Sequence, residues 1–233
     1  MIDDRKIELI TRLVDEYIST AHPVGSLFLV ERYHLTWSSA TIRNEMVLLE
    51  EQGLMYQPYT SAGRVPTEQG YRLYIQYMKP ARISSKHIEQ LANIATSLKS
   101  TTAIELKKLC RGLADISGEV AFVHTQSHCI VAGIQNLSEK PEFANAEFMG
   151  EIVTVLDNLD ELVENIQNDL CETPTMFIGD EEHFSKQCSV FAMAVSIKKE
   201  RVIVGLIGPI RMNYGKNTAI LQSLSTILFQ TTN

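Results

Sequence analysis

A helix-period segment that stops at Gly53 and runs at once into a Gly-turned hairpin leaves few folds open to residues 35–77. In SSATIRNEMVLLEEQG, projection at about 100° per residue puts Ile42, Met46 and Leu49 within one narrow arc, a core-facing stripe. Ala40, Asn44 and Val47 fall opposite, flanked by Thr41 and Arg43. Ser38 or Ser39 supplies the N-cap, and Gly53 is the C-terminal stop. Leu54 to Tyr59 then reads as a strand, which Pro58 confines to a sheet edge. Thr60 to Gly63 forms the turn, with Gly63 suited to positive φ, and Val65-Pro66 is a short return strand.

Two helices precede this device. Ile7, Ile10, Leu13, Val14, Tyr17 and Ile18 recur at helical spacing until His22-Pro23 ends the run. Gly25-Ser26 then gives a turn and an N-cap for a short helix, LFLVERY. After the hairpin, Thr67 caps a fourth helix expected to bury Tyr71, Tyr74, Ile75 and Met78. Three helices followed by a two-stranded hairpin is the order of a winged helix-turn-helix, in which the third helix enters the major groove of DNA. The outward residues of that helix suit the task. Arg43 can pair bidentately with guanine and Asn44 with adenine. Backbone N–H groups and the hydroxyls of Ser38 and Ser39 suit a phosphate at the helix start, with Thr41 beside them on the DNA-facing side. Thr60, Ser61 and Arg64 at the hairpin would clamp the backbone or a narrow minor groove. The plain alternative is a solvated helix face and a common polar turn.

Charge restricts where such a site can be. The chain carries a net charge of -7, and residues 1–80 hold 8 Lys and Arg against 10 Asp and Glu. A DNA site must therefore be a local patch and not a basic domain.

Lys79-Pro80 marks a boundary, giving a domain over 1–80, helical segments at about 85–99 and 102–116 within an 81–117 linker, and a third region over 118–233. Thr102-Ala-Ile-Glu105 reads as a capping box. From Gly118 the pattern turns to strands in EVAFVHT, CIVAGIQ, TMFIG, VFAMAVSI and RVIVGLIG. A helical stretch at about 143–168 interrupts them, and an amphipathic helix at about 215–230 follows, with Ile220, Leu224, Ile227 and Leu228 on one side. The fold class expected is α+β.

Chemistry beyond binding finds little support. His124-x-x-x-His128 has helical ligand spacing, but it falls on a strand-to-loop segment, so no metal is expected. Asp180, Glu181, Glu182 and His183 read as a solvated acidic turn. The four cysteines, at 110, 129, 171 and 188, have no C-x-x-C spacing and read as small buried hydrophobes. No phosphate loop, nucleophile elbow or paired-carboxylate motif appears, so neither an enzyme nor a cofactor is expected. MIDDRKIE carries no apolar run, and the apolar stretches are too short to span a bilayer, so the expectation is a cytoplasmic protein without a membrane segment.

VDEYISTAHPVGS, SSATIRNEMVLLEEQGL and YTSAGRVPTEQGYRLYI together resemble the N-terminal region of HrcA, the heat-inducible transcription repressor family. Trp37 stands where that family more often has a smaller aliphatic residue. The resemblance implies repression of heat-shock chaperone operons through an inverted-repeat operator, hence a homodimer, with the chaperonin as modulator. IVAGIQNLSEKPEF and GLIGPIRMNY resemble more loosely the family's GAF-like domain. Longer members carry an inserted dimerising segment between the first two strands, where this chain has only Thr125 to Cys129, so another dimer surface is expected. GAF-like folds often bind small molecules, which leaves a metabolite-sensing winged-helix regulator as the alternative function.

Overall fold

The computed structural model describes residues 3–98, 100–179 and 184–232, so the acidic turn read at Asp180–His183 lies outside the described residues. The chain divides into two compact units, Met1–Lys79 and Pro80–Asn233.

The first unit follows the sequence pattern closely. Helix α1 spans Asp4–Thr20, α2 Ser26–Tyr33 and α3 Ser39–Glu51; strands β1 (Met55–Tyr56) and β2 (Val65–Pro66) precede α4 (Glu68–Tyr77). Asp3 caps α1 by accepting from Lys6 N–H, and the helix ends at Ala21, whose φ of 56° lets its N–H reach Tyr17 O. Helix α2 starts at Ser26 with Gly25 as N-cap, so Ser26 is the first helical residue and its buried side chain makes no cap bond. Leu9, Ile10, Leu13, Leu29, Ile42 and Leu49 are all fully buried. Each such side chain contributes about 1.5–3 kcal/mol by leaving water. On α4, Tyr71 and Tyr74 are buried, whereas Ile75 and Met78 remain half-exposed.

The hairpin is shorter than its apolar pattern suggested, with only Met55 opposite Pro66 and Tyr56 opposite Val65. It gains support elsewhere. Val24 N–H donates to Arg64 O, and Arg64 N–H donates to Val24 O, each at 2.9 Å, so the α1–α2 connection adds a bridge beside β2. This bridge explains Gly63 differently from the sequence. The positive φ of the turn falls on Ser61, at 68°, and not on Gly63. Gly63 is needed because a Cβ there would sit 2.4 Å from the Val24 carbonyl.

In the second unit, α5 spans Ser85–Ser97, α6 Ala103–Ser117, β3 Val120–His124, β4 Cys129–Ala132, α7 Ala146–Asp157 and α8 Leu159–Ile166. They are followed by β5 (Thr175–Ile178), β6 (Cys188–Ile197), β7 (Glu200–Pro209) and α9 (Tyr214–Thr232). The strands form one antiparallel sheet in the order β4-β3-β7-β6-β5. Period-2 alternation sends Val120, Phe122 and Ile203 to one face, where α7 and α8 cover them with Phe148, Ile152, Val155 and Val163. Helices α6 and α9 pack on the sheet, and α5 packs on both of them. The segment read as a linker is thus part of this unit. Helix α6 buries Leu106, Leu109, Cys110 and Leu113, and the Cys110 thiol donates to Ala121 O of β3. The capping box read at its start does not form: Thr102 makes no side-chain cap bond, and Glu105 accepts from Ser100 N–H at 2.8 Å.

The cysteines are all free, and only Cys110 and Cys188 are buried. Burial pushes both thiols up to about 12. Among the described residues, no helix is long and apolar enough to cross a membrane.

Candidate nucleic-acid interface

Helix α3 sets the candidate site. Its stripe of Ile42, Met46 and Leu49 is buried, which fixes the rotation of the helix and turns Ala40, Arg43, Asn44 and Val47 to solvent. Arg43 makes no ion pair with any described residue, so its guanidinium is free to meet a partner. Ser38 is the N-cap: its Oγ accepts from Thr41 N–H at 3.1 Å and lies 2.9 Å from Thr41 Oγ1. Both hydroxyls are therefore already oriented at the helix start, with Ser39 half-exposed beside them.

The rotation of α3 is held from α1. The Arg5 guanidinium lies 4.7 Å over the Trp37 ring and 3.4 Å from Glu45 Oε1. Trp37 thus has a definite packing partner just before the helix begins, in a part-exposed cation–π contact. Sequence spacing did not reveal this contact, since Arg5 lies on α1 and Trp37 in the connection between α2 and α3.

At the hairpin, Thr60 and Ser61 are exposed as expected. Arg64 is placed otherwise than a free clamp. Its Nε lies 2.9 Å from Glu50 Oε2, and its side chain is only 13% exposed. The other oxygen of Glu50 accepts from Gln57 N–H at 3.0 Å, and Gln57 Nε2 donates to Ala62 O at 2.9 Å. Glu50 therefore ties the last turn of α3 to both arms of the hairpin. The hairpin also presents Tyr59, 67% exposed, and Tyr56, 47% exposed, which pattern reading assigned only to a strand. An aromatic beside Pro58 in a polar turn was the signal for Tyr59.

Two part-buried polar contacts hold the rest of this unit. Tyr74 OH donates to Asp15 Oδ1 at 2.6 Å, and burial raises the Asp15 carboxyl above its usual value. Glu16, itself nearly buried, accepts from Arg32 Nε at 3.2 Å and from Tyr33 OH at 3.0 Å. Burial, with the adjacent Glu16, raises the Tyr33 phenol.

The family model described as HrcA protein C terminal domain matches residues 74–217. The chain belongs to the HrcA family. A protein of Clostridium perfringens called heat-inducible transcription repressor HrcA is 42% identical over 132 residues, covering 56% of this chain and 37% of the relative. One of the same description from Ruminiclostridium cellulolyticum is 50% identical over 92 residues, covering 39% and 26%. A third, from Thermobifida fusca, is 37% identical over 184 residues, covering 73% and 52%. The matches with these HrcA proteins span between 26% and 52% of the relatives' own length. A crystal structure of a hypothetical protein superposes with a TM-score of 0.76 at 19% identity, covering 99% of this chain and 100% of the other. That likeness concerns the fold alone.

Proposed function

We propose that this chain represses heat-shock chaperone operons by binding an inverted-repeat operator as a homodimer in the cytoplasm. In this reading residues 1–80 are a winged helix-turn-helix. Helix α3 lies in the major groove, with Arg43 and Asn44 at base edges and Ser38, Ser39 and Thr41 at a phosphate. Thr60 and Ser61 approach the backbone from the hairpin, and Arg64 holds the hairpin against α3. Residues 118–233 form a GAF-like domain, with 81–117 supplying helices to it and to the dimer, and chaperonin modulates the repressor. The observation that carries the reading is the free Arg43 and exposed Asn44 on the first turns of a capped helix that a buried stripe orients, in a chain of the HrcA family. The antiparallel sheet with helices on both faces supports the GAF-like assignment.

The test is a gel shift with the full chain on a chaperone-operon promoter and on a scrambled control, at several stated salt concentrations. Tight binding to the promoter, weakened by heating and strengthened by added chaperonin, is the expected result. Equal binding to both DNAs refutes operator recognition. Binding that ignores chaperonin and heat but responds to small-molecule extracts transfers the protein to the metabolite-sensing class.

A further inference from the structure

The second unit holds a cluster that repression does not use. His124 ends β3 and is 4% exposed. It shares a sheet face with Val120 and Phe122, the face covered by α7 and α8. Its Nε2 lies 2.8 Å from Asp160 Oδ1 on α8. Glu164 stands four residues on from Asp160, one turn along the same side of α8. One ligand atom from each of His124, Asp160 and Glu164 falls within 4.8 Å of the others.

The geometry points to a binding site for a divalent transition-metal ion, held by His124 Nε2 and by the carboxylates of Asp160 and Glu164. A first-row ion such as Zn2+ suits one imidazole with two carboxylates. In tetrahedral coordination, ligand atoms about 2.0–2.1 Å from zinc stand roughly 3.3 Å from one another. The His124–Asp160 contact has to open slightly and the Glu164 carboxylate has to swing in. Both acids are exposed and can adjust, whereas His124 is fixed by the sheet, so the histidine sets the position and the helix supplies mobile ligands. Three protein ligands leave a fourth position for water. The His124-x-x-x-His128 spacing read from the sequence is not the relevant pair: His128 lies in the turn, with Nδ1 2.7 Å from Ser127 Oγ. The ion would join α8 to the end of β3, two elements otherwise in contact through apolar side chains and the His124–Asp160 bond. It would also neutralise charge on the acidic start of α8, where Asp160 and Glu161 lie in the first turn.

A buried histidine hydrogen-bonded to an aspartate also occurs with no metal, and the experiment separates the two. Metal-stripped full chain is titrated with ZnCl2 in a calorimeter, and its melting is followed with and without one equivalent of Zn2+. Asp160→Asn and Glu164→Gln are run beside it. Both positions are exposed, and the amide introduced by Asp160→Asn still offers an oxygen to His124, so both variants keep the fold. The expected result is one Zn2+ per chain and a raised melting temperature, with each variant binding at least as much weaker as the roughly 10–100-fold lost on removing an outer-shell partner. Absence of saturable binding, or binding and melting shifts equal in the wild type and both variants, overturns the site.

Discussion

The clasp between Glu50 and Arg64 makes a prediction that separates scaffold from contact. Removing one partner of a buried ion pair costs about 3–5 kcal/mol, whereas an exposed pair is worth at most about 1 kcal/mol. The Arg64 side chain is 13% exposed and that of Glu50 33%. The pair falls between the two limits, so Arg64→Ala should destabilise the first unit by about 2 kcal/mol. For a unit of this size that corresponds to a fall in Tm of roughly 8–16 °C. Glu50→Ala should cost more, because it also leaves Gln57 N–H without its acceptor. Trp37 is the single tryptophan in the chain, so its emission during a thermal or urea ramp follows the first unit alone. Operator binding measured from low to high salt completes the assay. Both variants should bind more weakly with an unchanged slope of log K against log salt, since neither removes a phosphate contact. If Arg64→Ala leaves the Trp37 transition in place and flattens the slope by about 0.9, one phosphate contact's worth, then Arg64 leaves Glu50 to grip DNA and the scaffold argument fails.

Three further outcomes follow from the same unit. Arg43→Ala should lose about 1–3 kcal/mol on the operator and much less on random DNA, as measured by competition gel shift; equal losses would reduce Arg43 to a phosphate contact. Gly63→Ala should destabilise by about 1–3 kcal/mol, read by Trp37 emission, because its Cβ meets the Val24 carbonyl at 2.4 Å and forces the bridge apart; a neutral result would show that the bridge opens freely. Burial raises the Asp15 carboxyl, so the folded unit takes up this proton more readily than the unfolded chain. That contribution to stability is fully present below the unfolded value of 3.8 and is lost as pH rises through the higher folded value. Asp15→Asn should therefore remove a stability gain seen on acidification of the wild type, and urea midpoints that track the wild type at every acidic pH would contradict it.

Local pattern determined most of the first unit. The apolar arc of Ile42, Met46 and Leu49, the Ser38 and Thr67 caps and the Gly53 stop are properties of a few neighbouring residues, and helical periodicity turns them directly into a rotation and an end point. Asn44 and the flanking Arg43 followed, because residues on the side away from a buried stripe face out. The strands after Gly118 were legible for the same reason, through runs of apolar residues between turns. Tertiary structure alone decided the partners. Glu50 and Arg64 lie on different elements, and only the fold joins them in a clasp where the sequence suggested a free clamp at Arg64. Gly63 was read for its conformational freedom, yet the approach of Val24, from a segment far earlier in the chain, is what excludes a side chain there. His124 and Asp160 are separated by a hairpin and a helix, and no spacing rule connects them. Propensity and periodicity act within a turn or two of chain, whereas ion pairs, close backbone approach and ligand clusters depend on which distant surfaces the packed core brings together.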